Sequence, residues 1–264
     1  MAIFKLSILD KNKNILETKQ EMDEVSIAYR GYYQEGDMIQ LVSDTKDIYV
    51  KLRLDDSLEE SIVYLADYEY CFSIPFGDLR KPYGKKAFTE ERHWGYVSKV
   101  DDKEFSNYRN LALNAFDTND NQSIYPHATT NVTTTNPQFF ARNAIDGIFE
   151  TCNHGSWPHS SWGINKQEDA WLKIDFGNIV EVDEILIYLR ADFPHDNWWK
   201  QIKLTFSNGE EQLVSLEKTG KAQHIPLERK KIEWIMISDL VMSDDESLFP
   251  ALSQIKVMGN MTKL

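Results

Sequence analysis

The sequence is poor in cysteine, with only Cys71 and Cys152 among 264 residues. Two thiols that far apart build no disulfide framework, so the fold must rest on apolar cores and backbone pairing, and reduced thiols are expected. Long apolar runs are missing too: no stretch approaches the roughly 18 consecutive apolar residues of a membrane span. The opening residues Met1-Ala2-Ile3-Phe4-Lys5-Leu6 enter an alternating strand pattern at once, without the apolar stretch of a secretory signal. A cytoplasmic protein is the expectation, or a secreted one if a leader has been trimmed away. Positive charge is scarce. The net formal charge is -13, and the segments on either side of Tyr108 are both acidic. The short basic clusters, Arg80-Lys81 with Lys85-Lys86 and Arg229-Lys230-Lys231, are too small to neutralise the phosphates of a duplex, which argues against a nucleic-acid partner. The sequence also lacks a His-Glu-x-x-His pair, a Gly-x-Ser-x-Gly elbow, a Gly-x-Gly-x-x-Gly turn and a phosphate loop.

What is present is strand signal. A chain of 264 residues has room for two cores of ordinary size. Period-2 alternation opens at residues 3–8 and returns at 25–29, 38–42, 48–52, 62–65 and 68–74, with turn residues such as Glu35-Gly36-Asp37 between. Several strands at about ten-residue spacing, with no helical pattern between them, predict a β-sandwich over residues 1–105. Residues 75–107 read as a long irregular connection rich in Pro, Gly and charge, and such loops are usually functional or pinned to a neighbour. Strand signals resume at 170–177, 182–189, 202–206, 233–237 and 253–258, and Ser207-Asn208-Gly209-Glu210 carries the Asn-Gly pair favoured in tight hairpins. The predicted fold class is all-β, with two β-sandwich domains at 1–105 and 110–264, the second a jelly roll.

The second segment carries an ordered series of motifs: Asn110-Leu111-Ala112, Ala141-Arg142-Asn143-Ala144-Ile145-Asp146-Gly147, Ser161-Trp162-Gly163, Trp171 to Gly177, Val182 to Tyr188, and Ala251 to Gly259. In order and spacing these resemble the discoidin family, also called coagulation factor V/VIII type C, which includes carbohydrate-binding modules of family 32. The resemblance covers about 150 residues, the size of a whole domain. It implies a galactose-binding-like jelly roll with ligand loops clustered at one end. Residues 1–105 show no such likeness.

The resemblance also implies a structural cation site. Its ligands would be backbone carbonyls at Asn143 and Ile148, the Asp146 carboxylate, the hydroxyl and carbonyl of Thr151, and a carbonyl and side chain returning at Ser253 and Gln254. Oxygen donors around a tight Gly turn suit calcium. Gln254 stands where the family has Glu, which keeps an oxygen but removes one negative charge. A turn capped by Asp146, with no ion, is the alternative.

Two segments gather polar and aromatic side chains that a core would not select: His154 to Trp162, and Arg190 to Trp199. A saccharide offers apolar C-H faces and many hydroxyls, so its site needs an aromatic platform beside hydrogen-bonding groups. The candidate ligand-binding residues are His154, Trp157, His159, Arg190, Asp192, His195, Asp196, Trp198 and Trp199, and the resemblance places the family's sugar-contacting arginine at Arg190. Trp162 and Trp171 match core positions. Trp198 and Trp199 are adjacent, so on a strand they face opposite sides and supply one platform at most. The expected function is non-catalytic binding of a carbohydrate or glycoconjugate. Two other readings stand beside it: a protein-interaction module, with a homodimer as one such assembly, and a glycan-acting hydrolase using the His and Asp side chains of the loops.

Overall fold

The computed structural model describes residues 1–151, 157–191 and 197–263. Among these, regular structure is antiparallel β-strand with short 3-10 turns. The first segment contributes β1 (Ile3–Leu9), β2 (Ile15–Met22), β3 (Glu24–Arg30), β4 (Met38–Ser43), β5 (Ile48–Arg53), β6 (Ser61–Leu65), β7 (Glu69–Ser73) and β8 (Arg92–Lys99). The second contributes β9 (Arg109–Asn110), β10 (Ile124–Tyr125), β11 (His127–Thr130), β12 (Trp162–Gly163), β13 (Leu172–Leu189), β14 (Trp199–Phe206), β15 (Glu211–Ser215), β16 (Gln223–Met242) and β17 (Ala251–Met261).

Two sheets face each other in the first segment, ordered β2-β1-β4-β7 and β10-β6-β5-β8-β3. Alternation sends Phe4, Leu6, Leu41 and Phe72 of one sheet against Val50, Leu52, Val63 and Val97 of the other, forming a closed apolar core. Two strands depart from the sequence reading. β2 is an edge strand exposed along nearly its whole length, so it has no apolar face to signal it. β8 lies inside the stretch expected to be irregular, yet it pairs with both β3 and β5. Its alternation is inverted: His93 and Gly95 face inward while Trp94 and Tyr96 face outward, so an apolar-inside pattern misses it.

In the second segment β13 and β16 run side by side through both layers of a sandwich. Leu172 to Asp175 pairs with Trp234 to Ile237 and with β11; Val180 to Ile187 pairs with the earlier part of β16 and with β17. β14 continues the first of these layers and β15 closes its edge. The hairpin between β14 and β15 turns at Asn208-Gly209, with Gly209 at φ +85°. Ile174, Ile187, Leu204, Ile235, Ile255 and Val257 fill the space between the layers.

The bend in β13 falls at Gly177, φ +68°, where a Cβ would stand 2.6 Å from the Tyr125 ring and 2.8 Å from that of Tyr64. This close approach marks the seam between the segments. β10 joins the first segment's sheet by pairing with β6, Ile124 opposite Leu65 and Tyr125 opposite Tyr64. Ala115, Phe116 and Ile124 are buried in the first core, while Tyr49, Tyr64 and Val100 pack into the second. Ala115 N donates to Ser61 Oγ at 2.9 Å, and Tyr70 Oη donates to the Phe116 carbonyl.

Candidate functional site

β13 delivers Arg190 to one end of the second sandwich. Pairing continues one residue past the strand, Arg190 N donating to the Ala251 carbonyl at 2.9 Å, and this fixes the backbone. The side chain is 1% exposed, and its Nη1 donates to the His159 carbonyl at 2.8 Å. His159 is also buried, with Nε2 against the side-chain amide of Gln138. The two proposed ligand segments therefore meet through these two residues. Trp157, in the same segment as His159, is 48% exposed, and its ring lies over Gly84 of the first segment, where a Cβ would be 3.4 Å away. His154, Asp192, His195 and Asp196 lie outside the described residues.

The two adjacent tryptophans have different places. Trp199 is 1% exposed and packs on Trp162 with ring centroids 5.7 Å apart, so it belongs to the core and not to a surface platform. Irregular register between Trp199 and Lys203 lets both Trp199 and Ile202 face inward. Trp198 is half-buried. Its neighbour Asn197 is fully buried and ties the strand to the 243–247 turn: Asn197 Nδ2 donates to the Asp245 carbonyl at 3.4 Å and to that of Ser247, and Oδ1 accepts from Ser243 Oγ at 3.1 Å.

A cleft of about 630 Å³ opens between β15 and the start of β16, lined by Leu213, Leu216, Thr219, Lys221 and His224 among others. Its 219–221 side reaches the end of β13, since a Cβ on Gly220 would lie 3.5 Å from the Leu189 carbonyl. Sequence reading passed over these residues: they sit on an edge strand, the start of β16 and the polar turn between them, with no aromatic residue among them. A smaller cleft of about 210 Å³ is lined by Thr129, Thr130, Thr134, Phe139 and Phe140, and Phe139 lies against Gly163. The local run of threonines was its one sequence signal.

The acidic loop is built around a 3-10 turn at Ala141–Ala144, all four residues buried. Arg142 is anchored in this turn by hydrogen bonds from Nε to the Asp117 carbonyl at 2.8 Å and from Nη2 to the Ala115 carbonyl at 2.9 Å, and its guanidinium lies over the Tyr83 ring. Asn143 Nδ2 donates to the Pro137 carbonyl at 2.9 Å. Gly147, at φ +92°, turns the chain so that Ile148 N reaches Asp146 Oδ1 at 2.8 Å. Burial pushes the Asp146 carboxyl up to about 7; Arg142, with Nη1 3.7 Å from Oδ2, pulls the other way. Asp146 Oδ2, Ser253 Oγ and both amide atoms of Gln254 are buried without a hydrogen-bond partner. Thr151 is half-buried. Among the described residues, no group of three or more His, Cys, Asp or Glu side chains gathers in a metal-binding arrangement. A site made of carbonyls, one carboxylate and one amide is different chemistry, and the orphaned oxygens fit a hard cation.

Beside this loop sits a buried ion pair. His127 Nδ1 lies 2.8 Å from Asp117 Oδ1, which also accepts from Asn121 Nδ2 at 2.8 Å, while Oδ2 accepts from Ala128 N at 2.9 Å. Burial pulls the imidazole pKa down, but the hydrogen bond and charge of Asp117, with Asp175 and Asp120, outweigh it and the net direction is up.

Fold and site together define an all-β protein with a bent-strand sandwich bearing a loop-built rim. The chain belongs to the family described as Domain of unknown function (DUF7402), whose model matches residues 123–257. No match was found among curated proteins. Solved structures to which it is similar include chitosan-binding module 1 from a chitosanase/glucanase of Paenibacillus sp. IK-5, at 18% identity over 57% of this chain and 98% of that one, TM-score 0.40. A fucose binding module of Streptococcus pneumoniae matches at 20% identity over 56% of this chain and 96% of that one, TM-score 0.39. The family 32 carbohydrate-binding module of C. perfringens NanJ, in complex with galactose, matches at 19% over 50% and 91%, TM-score 0.38.

Proposed function

We propose that the second sandwich is a non-catalytic carbohydrate-binding module. The observation that carries this reading is Arg190, whose guanidinium is fixed at the end of β13 by the His159 carbonyl and so joins the two segments that hold the candidate ligand groups. A buried guanidinium held in one orientation sets the position of the two segments it joins, so that the groups they carry meet sugar hydroxyls with little further loss of freedom. Trp157 supplies an exposed ring for the C-H face of a sugar. The sequence adds Asp192, His195, Asp196 and His154 as acceptors and donors on the same two segments.

Under the same reading the acidic loop holds a structural calcium. The carbonyls of Asn143, Ile148, Thr151 and Ser253, the Asp146 carboxylate and the Gln254 amide oxygen would be its ligands. The buried, unbonded oxygens of Asp146 and Gln254 support it. With one carboxylate in the set, affinity is modest.

A glycan array followed by calorimetry tests the first claim. A saccharide should bind, and its Kd should rise at least about tenfold, or about 1.4 kcal/mol, in Trp157→Ala, an exposed position whose loss leaves folding intact. A folded chain that binds no saccharide but forms a stable dimer or retains a protein partner would favour an interaction module instead.

A further inference from the structure

The first sandwich carries a second polar and aromatic surface, far along the chain from the Arg190 rim. It lies on the outer face of the five-stranded sheet. One half of that face is covered: Tyr49 and Tyr64 pack into the second core, Phe105 stands edge-on to Tyr49 at 5.5 Å, and Lys51 pairs with Glu104 of the linker at 2.8 Å. The other half, over β8 and β3, is open. Trp94 there is 42% exposed, and its ring centroid is 5.2 Å from that of Tyr96, with the planes 35° apart.

Register places the surroundings. Ala28 is opposite Trp94, so no bulky neighbour on β3 covers the indole. Arg53 is opposite Tyr96 on β5, and Arg92 and Arg30 are opposite each other at the end of the β8/β3 pair. Directly paired residues in an antiparallel sheet have Cβ atoms about 5 Å apart, so Arg53 flanks Tyr96, while Arg92 and Arg30 lie on the same face one pair beyond Trp94. Among the described residues none of the three makes a salt bridge, although the chain has a net charge of -13 and carboxylates are abundant. Aromatic rings turned outward on a central strand, next to unpaired arginines, are unfavourable in water and serve no core.

We propose that this face binds an acidic oligosaccharide, one whose sugar rings carry carboxylates. The rings of Trp94 and Tyr96 offer a shallow, open platform that suits the C-H face of a pyranose. Arginine forks donate to carboxylates in bidentate geometry. A peptide would bind differently, since its backbone groups need the partners found along an edge strand and not on a sheet face. A nucleic acid brings one phosphate per residue, and three arginines on a strongly acidic chain neutralise few of them. This surface shares no residue with the rim of the second sandwich, so the chain would hold glycan at two separate places.

Calorimetry with hexagalacturonate and with a hyaluronan hexasaccharide tests the proposal, using cellohexaose, polyuridylate and polyglutamate as comparisons and sedimentation to follow the oligomeric state. At least one acidic sugar should bind, cellohexaose should bind at least tenfold more weakly, and both Trp94→Ala and Arg92→Gln should raise the Kd about tenfold or more with an unchanged melting temperature. Added salt should weaken binding. The proposal is overturned if neither acidic sugar saturates the chain at millimolar concentration, if both variants bind as the parent does, or if polyuridylate or polyglutamate binds more tightly than the sugars. It is also overturned if the face proves to be the contact of a dimer that Trp94→Ala dissociates.

Discussion

Arg190 Nη1 and the His159 carbonyl, 2.8 Å apart, join the end of β13 to the segment that leads into Trp162. This bond ties together two residues that are 31 positions apart in sequence. Replacing Arg190 by Ala should lower stability by about 1.5–3 kcal/mol, the usual worth of a hydrogen bond to a charged group. It should also weaken saccharide binding by freeing the two segments, whereas Arg190→Lys should keep part of both, because an ammonium can still donate to the His159 carbonyl but lacks the fork. Thermal melts paired with calorimetry check both; retained binding in Arg190→Ala would remove this residue from the site.

Trp157 and Trp199 are expected to separate binding from folding. Trp199 fills the core against Trp162, so Trp199→Ala should cost about 3–5 kcal/mol. Trp157→Ala should change stability by no more than about 0.5 kcal/mol, as surface changes do, while weakening the ligand. Urea denaturation of the two variants reads the contrast directly.

At the acidic loop, Gln254→Glu would restore a second carboxylate. The variant should be less stable than the parent in a chelator, where two buried acids repel, and should gain more on adding calcium. A calcium concentration 100-fold above Kd contributes about 2.7 kcal/mol by mass action. Melting curves with and without chelator that coincide for both proteins would show that the loop binds no ion.

The pair His127 and Asp117 predicts a pH dependence. The folded-state pKa of His127 is raised, so the pair's stabilisation is complete below the unfolded value, near 6.5, and is lost as pH rises through the higher folded value. Asp146, pushed up to about 7, titrates in the same region, so the informative quantity is the difference between the parent and His127→Gln. That difference should shrink as pH rises above about 6.5. A difference constant from pH 6 to 9 would mean that His127 titrates alike in the folded and unfolded chains, and so draws no net stabilisation from Asp117.

Strands with one buried face were open to sequence reading. β4 and β5 show their alternation plainly, and Asn208-Gly209 marks its hairpin because few other pairs accept that turn. β2 and β8 were hidden for physical reasons: the first buries almost nothing, and the second buries His93 and Gly95 while presenting its aromatics to water. The motif from Ala141 to Gly147 gave the position of the acidic loop. It could not give the anchoring of Arg142 on the Ala115 and Asp117 carbonyls, because those bonds depend on how two distant turns approach. Nor could alternation alone decide between Trp198 and Trp199, since the irregular register at the start of β14 sets which one turns inward.

The two-residue strand β10 lends a piece of one sandwich to the sheet of the other. A protease that cut the linker near Asp102 would sever the polypeptide without releasing either half, because Phe116 and Ile124 would remain lodged in the opposite core. The molecule therefore has the makings of a split protein: two fragments, produced separately, carry the matching surfaces through which they could find each other and reassemble.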